Sequence, residues 1–150
     1  MKRLTGGALV LAALLVIWPK PPAAQSAVWT PYSEGALEAA QREGRPILID
    51  IYADWCLPCV KMDHTTFRYP DVVNALKSVT TLRVDATREV SPDAGRLLEH
   101  YDVHGAPTML FFDRTGQERA DLRLTGFVEP AEFLERLRQL WSGAPSDSGS

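Results

Sequence analysis

Cysteine is scarce: the chain of 150 residues has two, Cys56 and Cys59. So few, so close together, cannot make the disulfide framework that holds small secreted scaffolds together. The pair therefore reads as a site. Positive charge is also in short supply. Sixteen Lys and Arg stand against nineteen Asp and Glu, and three of the basic residues, Lys2, Arg3 and Lys20, precede residue 27, where no acid occurs. Without that segment the remaining 124 residues carry 13 basic and 19 acidic side chains, a net charge of −6. Such a surface repels a phosphate backbone, which argues against nucleic-acid binding through a basic face. No apolar run reaches the ~20 residues of a membrane-spanning helix, and no internal repeat is evident. What is present is 45% hydrophobic and 23% charged residues with 10 Gly and 11 Pro, the balance of one globular domain around one core.

The N-terminal segment reads as an address. Lys2 and Arg3 are followed by an uncharged run from Leu4 to Pro19, most apolar over Ala8 to Trp18, and then by the Pro-rich stretch Lys20 to Ala24. That order is the order of a secretory signal peptide, with Ala24 and Ser26 as small residues before a cleavage at Ala27. The alternative is an uncleaved, short membrane anchor. No cysteine lies near residue 27, which excludes a lipid-modified N-terminal cysteine. The expected organisation is a signal peptide over 1–26, a globular domain over 27–141 and a polar, disordered tail over 142–150. Export places the domain in an oxidising compartment, where a CxxC pair is either kept oxidised or actively reduced.

Within the domain, Ser33 to Gly44 predicts a capped helix, and Pro46 to Ala53 a central buried strand, apolar on both faces apart from Asp50. A second helix begins around the cysteines and runs through Met62 toward Phe67, with a short continuation over Asp71 to Lys77 after Pro70. Val79 to Ala86 alternates as a strand, and Ser91-Pro92 starts a helix that groups Leu97, Leu98 and Tyr101. Thr108 to Phe112 is a short strand, Asp113 to Gly116 a turn, and Arg119 to Thr125 its antiparallel return. Phe133, Leu134, Leu137, Leu140 and Trp141 recur at helical spacing, giving a closing helix from about Pro130 to Trp141. This order predicts an α/β fold, a central mixed β-sheet flanked by helices on both faces.

Trp55-Cys56-Leu57-Pro58-Cys59 stands just after the buried strand and opens a helix. There, unpaired backbone N–H groups and the helix dipole favour an anion, so thiolate formation at Cys56 is favoured. A thiolate attacks a disulfide and forms a mixed disulfide, which Cys59, one turn on, can resolve. Pro58 suits the first helical turn. Other readings fare worse. A purely structural bridge closing so small a loop removes little unfolded-state entropy, and haem attachment needs a histidine where Val60 stands. A zinc or copper site would draw on His64, His100 and His104 with no second CxxC; these histidines read as surface residues.

The segment ILIDIYADWCLPCVKMDHTTF (Ile47 to Phe67) and the later Gly105-Ala106-Pro107-Thr108 before an apolar strand resemble the thioredoxin superfamily and, within it, the C-terminal periplasmic domain of the DsbD thiol:disulfide interchange proteins. The resemblance covers about Thr30 to Trp141. It implies a thioredoxin-like fold with Cys56 as nucleophile, Cys59 as resolving thiol, and Pro107 as a cis-proline facing the disulfide. The Ala106 backbone is then free to pair with a substrate chain. Asp50, six residues before Cys56 on the central strand, is expected to have a raised pKa through burial and to exchange a proton with Cys59. Asp63 projects from the same helix face as both cysteines, and in the resembled domain an acid at this place tunes the thiols; its plain reading is a solvated surface acid. Trp55 and Tyr52 pack around the site, Trp55 partly covering Cys56 and offering an apolar docking surface. Leu57-Pro58 departs from the Gly-Pro of typical thioredoxins and from the Val-Ala of the DsbD domain, and Val60 replaces its Lys, so the redox potential is not carried over.

The resulting expectation is an exported, periplasmic thiol:disulfide oxidoreductase, acting as a reductase of protein disulfides, monomeric, with no metal and no cofactor beyond the Cys56–Cys59 disulfide itself. Its clients would be a disulfide isomerase or the cysteines of apocytochrome c. A membrane electron-transfer protein would supply electrons, as DsbD carries this domain fused to a membrane transporter. The rivals are an oxidase that donates its disulfide and a metal-delivery module.

Overall fold

The computed structural model describes residues 25–143. The apolar core of the expected signal peptide and the polar tail beyond 143 lie outside them. The elements run β1 (Thr30–Pro31), α1 (Glu34–Glu43), β2 (Ile47–Tyr52), α2 (Leu57–His64), α3 (Pro70–Leu76), β3 (Thr80–Asp85), α4 (Pro92–His100), β4 (Thr108–Phe112), β5 (Leu124–Thr125) and α5 (Pro130–Ser142), with single 3-10 turns at Thr66–Arg68 and Ala120–Leu122. Helix α1 starts where Ser33 accepts the Ala36 N–H at 3.1 Å, and stops where Gly44 turns left-handed at φ 63°. Ser91 caps α4 in the same way, with Pro92 in its first turn.

The sheet has the order β1-β3-β2-β4-β5. Strand β2 pairs parallel with β3 and antiparallel with β4, and β1 and β5 close the two edges. Because successive strand residues face opposite ways, the apolar strands feed two cores. Leu48, Met109 and Phe111 pack against Met62, Phe67, Val72, Phe133 and Leu137 of the α2, α3 and α5 side. Ile47, Ile49, Ile51, Leu110 and Phe112 pack against Ala40, Ala94 and Leu97 of α1 and α4. The expected mixed sheet with helices on both faces is what forms.

Three local features depart from the sequence reading. The helix expected to reach Phe67 ends at His64. Thr65 turns its hydroxyl back onto Lys61 O at 2.8 Å, and the buried Thr66 hydroxyl donates to Val128 O at 2.6 Å, drawing the chain into a 3-10 turn. The return strand expected over Arg119 to Thr125 is broken: only Leu124 and Thr125 pair with β4, plus one bridge between Phe112 and Glu118. A helical turn at 120–122 places Leu122 fully inside the core, and Arg123 braces the segment by holding Glu118 at 2.6 Å and Tyr101 O at 2.9 Å. The two-residue edge strand β1, which contains a proline and shows no periodicity, was not anticipated.

Candidate active site

Strand β2 delivers the chain to the site. It is buried on both faces, and the turn after it is fixed by the Cys56 N–H to Ala53 O bond at 3.2 Å. Cys56 then serves as the N-cap of α2, its Sγ accepting the Cys59 N–H at 3.3 Å, with Pro58 in the first turn. A sulfur thus occupies the place usually taken by a serine or aspartate oxygen, where helix N–H groups converge. Cys56 and Cys59 are joined as a disulfide. Both are buried, at 5% and 3% exposure, and Ala53, Tyr52 and Ala106 pack against them.

Ala106 arrives through sheet register. Ile51 pairs with Thr108 across the antiparallel β2–β4 ladder, so continuing the ladder brings Pro107 level with Tyr52 and Ala106 level with Ala53. The Ala106–Pro107 peptide is cis. The loop is held by Thr108 Oγ1 donating to Gly105 O at 2.7 Å and by the Gly126 N–H donating to Pro107 O at 3.1 Å. On the other flank Trp55 is 63% exposed and Leu57 80%. The Trp55 Nε1–H donates to Thr87 O at 3.2 Å, and the Asp54 N–H to Thr87 Oγ1 at 3.0 Å, tying this turn to the loop after β3. The disulfide is therefore rimmed by exposed apolar side chains and by the Ala106–Pro107 loop.

The two acids named from the sequence meet through a residue that was not. Arg83 on β3 is the register partner of Asp50; its Nε donates to Asp50 Oδ2 at 2.9 Å, while Nη1 and Nη2 reach the two Asp63 oxygens at 3.0 and 2.6 Å. Asp63 is therefore not a freely solvated acid but one arm of a bidentate pair. Arg83 was missed because its signal lies between strands: alternation puts it on one face of β3, but only the register sets it beside Asp50. Burial pushes the Asp50 carboxyl up to about 6; Arg83 pulls the other way and Asp63 adds to the rise. Burial works against the Arg83 charge, yet its bonds to the two carboxylates outweigh that and hold its proton more firmly than usual. Burial likewise raises the Tyr52 hydroxyl.

The three histidines are exposed, and His104 forms an exposed pair with Asp102 at 2.9 Å. Among the described residues no three His, Cys, Asp or Glu side chains come together as a metal site.

The Asp50 carboxyl has a consequence for stability. Its ordinary value is 3.8 and its folded value about 6. In that window the native state keeps a proton that the unfolded chain has released, so stability falls as pH rises through it. For the disulfide form, urea unfolding from pH 4 to pH 7 should show a loss of about 2 kcal/mol from this group, absent in Asp50→Asn. Equal pH dependence in both proteins would contradict the assignment.

Residues 33–141 match the model of the thioredoxin-like domain family. The thiol:disulfide interchange protein DsbD of Klebsiella pneumoniae is 46% identical over 99 residues, covering 66% of this chain and 16% of that protein. The DsbD of Pseudomonas fluorescens is 43% identical over 106 residues, covering 71% and 18%. The chain thus spans under a fifth of the length of these relatives. The oxidised C-terminal domain of Neisseria meningitidis DsbD superposes with a TM-score of 0.60 at 28% identity, covering 74% of this chain and 99% of that one. With the family match running from the cap of α1 to the end of α5, and with the CxxC, cis-proline loop and mixed sheet in place, the chain belongs to the thioredoxin-like family and is similar within it to the C-terminal domain of DsbD.

Proposed function

We propose that the protein is an exported thiol:disulfide oxidoreductase that reduces protein disulfides in the periplasm. The observation that carries this reading is the Cys56–Cys59 disulfide at the first turn of α2, with a backbone N–H donating to Cys56 Sγ and the Ala106–Pro107 loop packed beside it. In the reduced protein the Cys56 thiolate attacks one sulfur of a substrate disulfide. A Cys56–substrate bond forms, and the other substrate sulfur leaves as a thiolate. Cys59 then gives up its proton, with Asp50 as the acceptor, and its sulfur attacks Cys56. The mixed disulfide breaks and the second substrate sulfur leaves. Two electrons pass to the substrate, and the protein ends as the Cys56–Cys59 disulfide.

Substrate recognition falls to the rim. The Ala106 backbone offers a short strand-like contact to an extended substrate segment, and Trp55 and Leu57 offer apolar surface. Tyr52 walls the disulfide from within. Clients with exposed cystines, such as a periplasmic disulfide isomerase or apocytochrome c, fit this open rim. Re-reduction needs a dithiol donor, for which a membrane electron-transfer protein is the natural source given the likeness to DsbD. Export rests on the N-terminal order of basic, apolar and small residues.

Two experiments test the reading. Cys56→Ser should abolish reduction of a model protein disulfide, while Cys59→Ser should accumulate mixed disulfides visible on non-reducing gels; native activity in Cys56→Ser would refute the mechanism. Equilibration against glutathione of known ratio should give a potential nearer the roughly −270 mV of thioredoxin than the roughly −120 mV of a strong oxidant. The latter value would make the protein an oxidase.

A further inference from the structure

The chain enters the fold across the acid cluster. The Ala27 N–H donates to Phe67 O at 2.8 Å, Thr81 Oγ1 donates to Val28 O, and Thr30–Pro31 add to the edge of β3. These tethers seat Trp29 edge-on to Phe67, with 5.0 Å between ring centroids, and over the Arg83 guanidinium at 4.5 Å. A second ring, Tyr52, lies 4.4 Å from the same carbon. A cavity of about 220 Å³ opens at this place, lined by Ala27, Trp29, Asp63, Phe67 and Arg83 among others; Asp50 is not part of its wall. The solvent side of the cation is thus faced by the strap 27–31, and Asp50 sits behind the cation at 3% exposure.

We propose that Trp29 is a positioning residue of the proton-transfer site: its ring, carried by the strap, fixes the Arg83 guanidinium on the carboxylates of Asp50 and Asp63, so that seating of the strap sets how readily Asp50 releases its proton. The functional consequence rests on Asp50 being the proton partner of Cys59. The groups that face Asp50 are few. Arg83 comes from β3 and Asp63 from α2; Tyr52 lies on its own strand, and the Asp50 partner on β4 is the uncharged Met109. Among the described residues that act on Asp50, the Arg83 cation favours the ionised carboxyl, while burial and Asp63 oppose it. A guanidinium contacting two rings and two carboxylates has little freedom to swing into water, and its attraction to Asp50 acts in a medium of low dielectric. Removing the Trp29 ring admits water to Arg83 but not to Asp50. The attraction is then screened while the burial cost of the Asp50 charge remains, so the carboxyl holds its proton to higher pH.

The test is a carbon-13 NMR titration of the Asp50 carboxyl in the disulfide form of the full-length chain. In the parent the midpoint should lie at about 6. Arg83→Gln should raise it by about one pH unit or more, the usual effect of losing a neighbouring opposite charge. Trp29→Ala should raise it by about half a unit, and Trp29→Phe, which keeps a ring face, should return it to the parental value. If Trp29→Ala fails to fold, Trp29→Leu makes the same test, since it retains apolar bulk without a ring. A midpoint that stays put or falls when the ring is lost, or a Trp29→Phe value no closer to the parent, would overturn the proposal. The readout needs no substrate, so it is decided separately from disulfide exchange: loss of the exchange reading would leave the titration result standing, and the reverse holds equally.

Discussion

A sulfur at a helix cap is the constraint around which this structure is arranged. Cys56 Sγ accepts a backbone N–H from the first turn of α2, a position that suits negative charge because helix N–H groups and the dipole converge there. A cap works only if the preceding chain arrives in a fixed direction. Strand β2 provides this by being buried on both faces and hydrogen-bonded on both sides, to β3 and β4. The same two neighbours bring everything else the site needs. Antiparallel β4 lays the Ala106–Pro107 loop against the disulfide, and parallel β3 sets Arg83 opposite Asp50.

The acid cluster shows how burial and charge are balanced one residue away from failure. A lone aspartate on a central strand would pay heavily for ionising in the core. Here one guanidinium serves two carboxylates, so Asp50 can ionise within a unit or so of neutral pH while Asp63 stays anchored to the same cation. A buried ion pair is weak support for stability, and the sign of the Asp50 effect agrees: the carboxyl stabilises the fold only as long as it keeps its proton. The proton transfer proposed between Asp50 and Cys59 draws on this raised carboxyl.

Much of this was legible in the residues, and the rest failed for identifiable reasons. Ser33 and Gly44 bracket α1, and Thr108 to Phe112 is strand over the predicted residues, because caps and short apolar runs act locally. Asp50 could be named as a buried acid from its place in an apolar run. The break after His64 depends on Thr66 bonding Val128, sixty-two residues away, and the turn at 120–122 depends on a core slot for Leu122. Neither leaves a periodic trace. Arg83 and Trp29 were missed for the same reason: their meaning comes from register and from an edge strand two residues long.

The most direct test of the whole account is the titration of the two thiols in the reduced protein, followed by thiolate ultraviolet absorbance and assigned with the single Cys→Ser variants. Cys56 should ionise well below the ~8.5 of a free cysteine, and Cys59 above Cys56. If Cys56 ionises at or above that ordinary value, the helix cap does not activate the sulfur and the account is wrong.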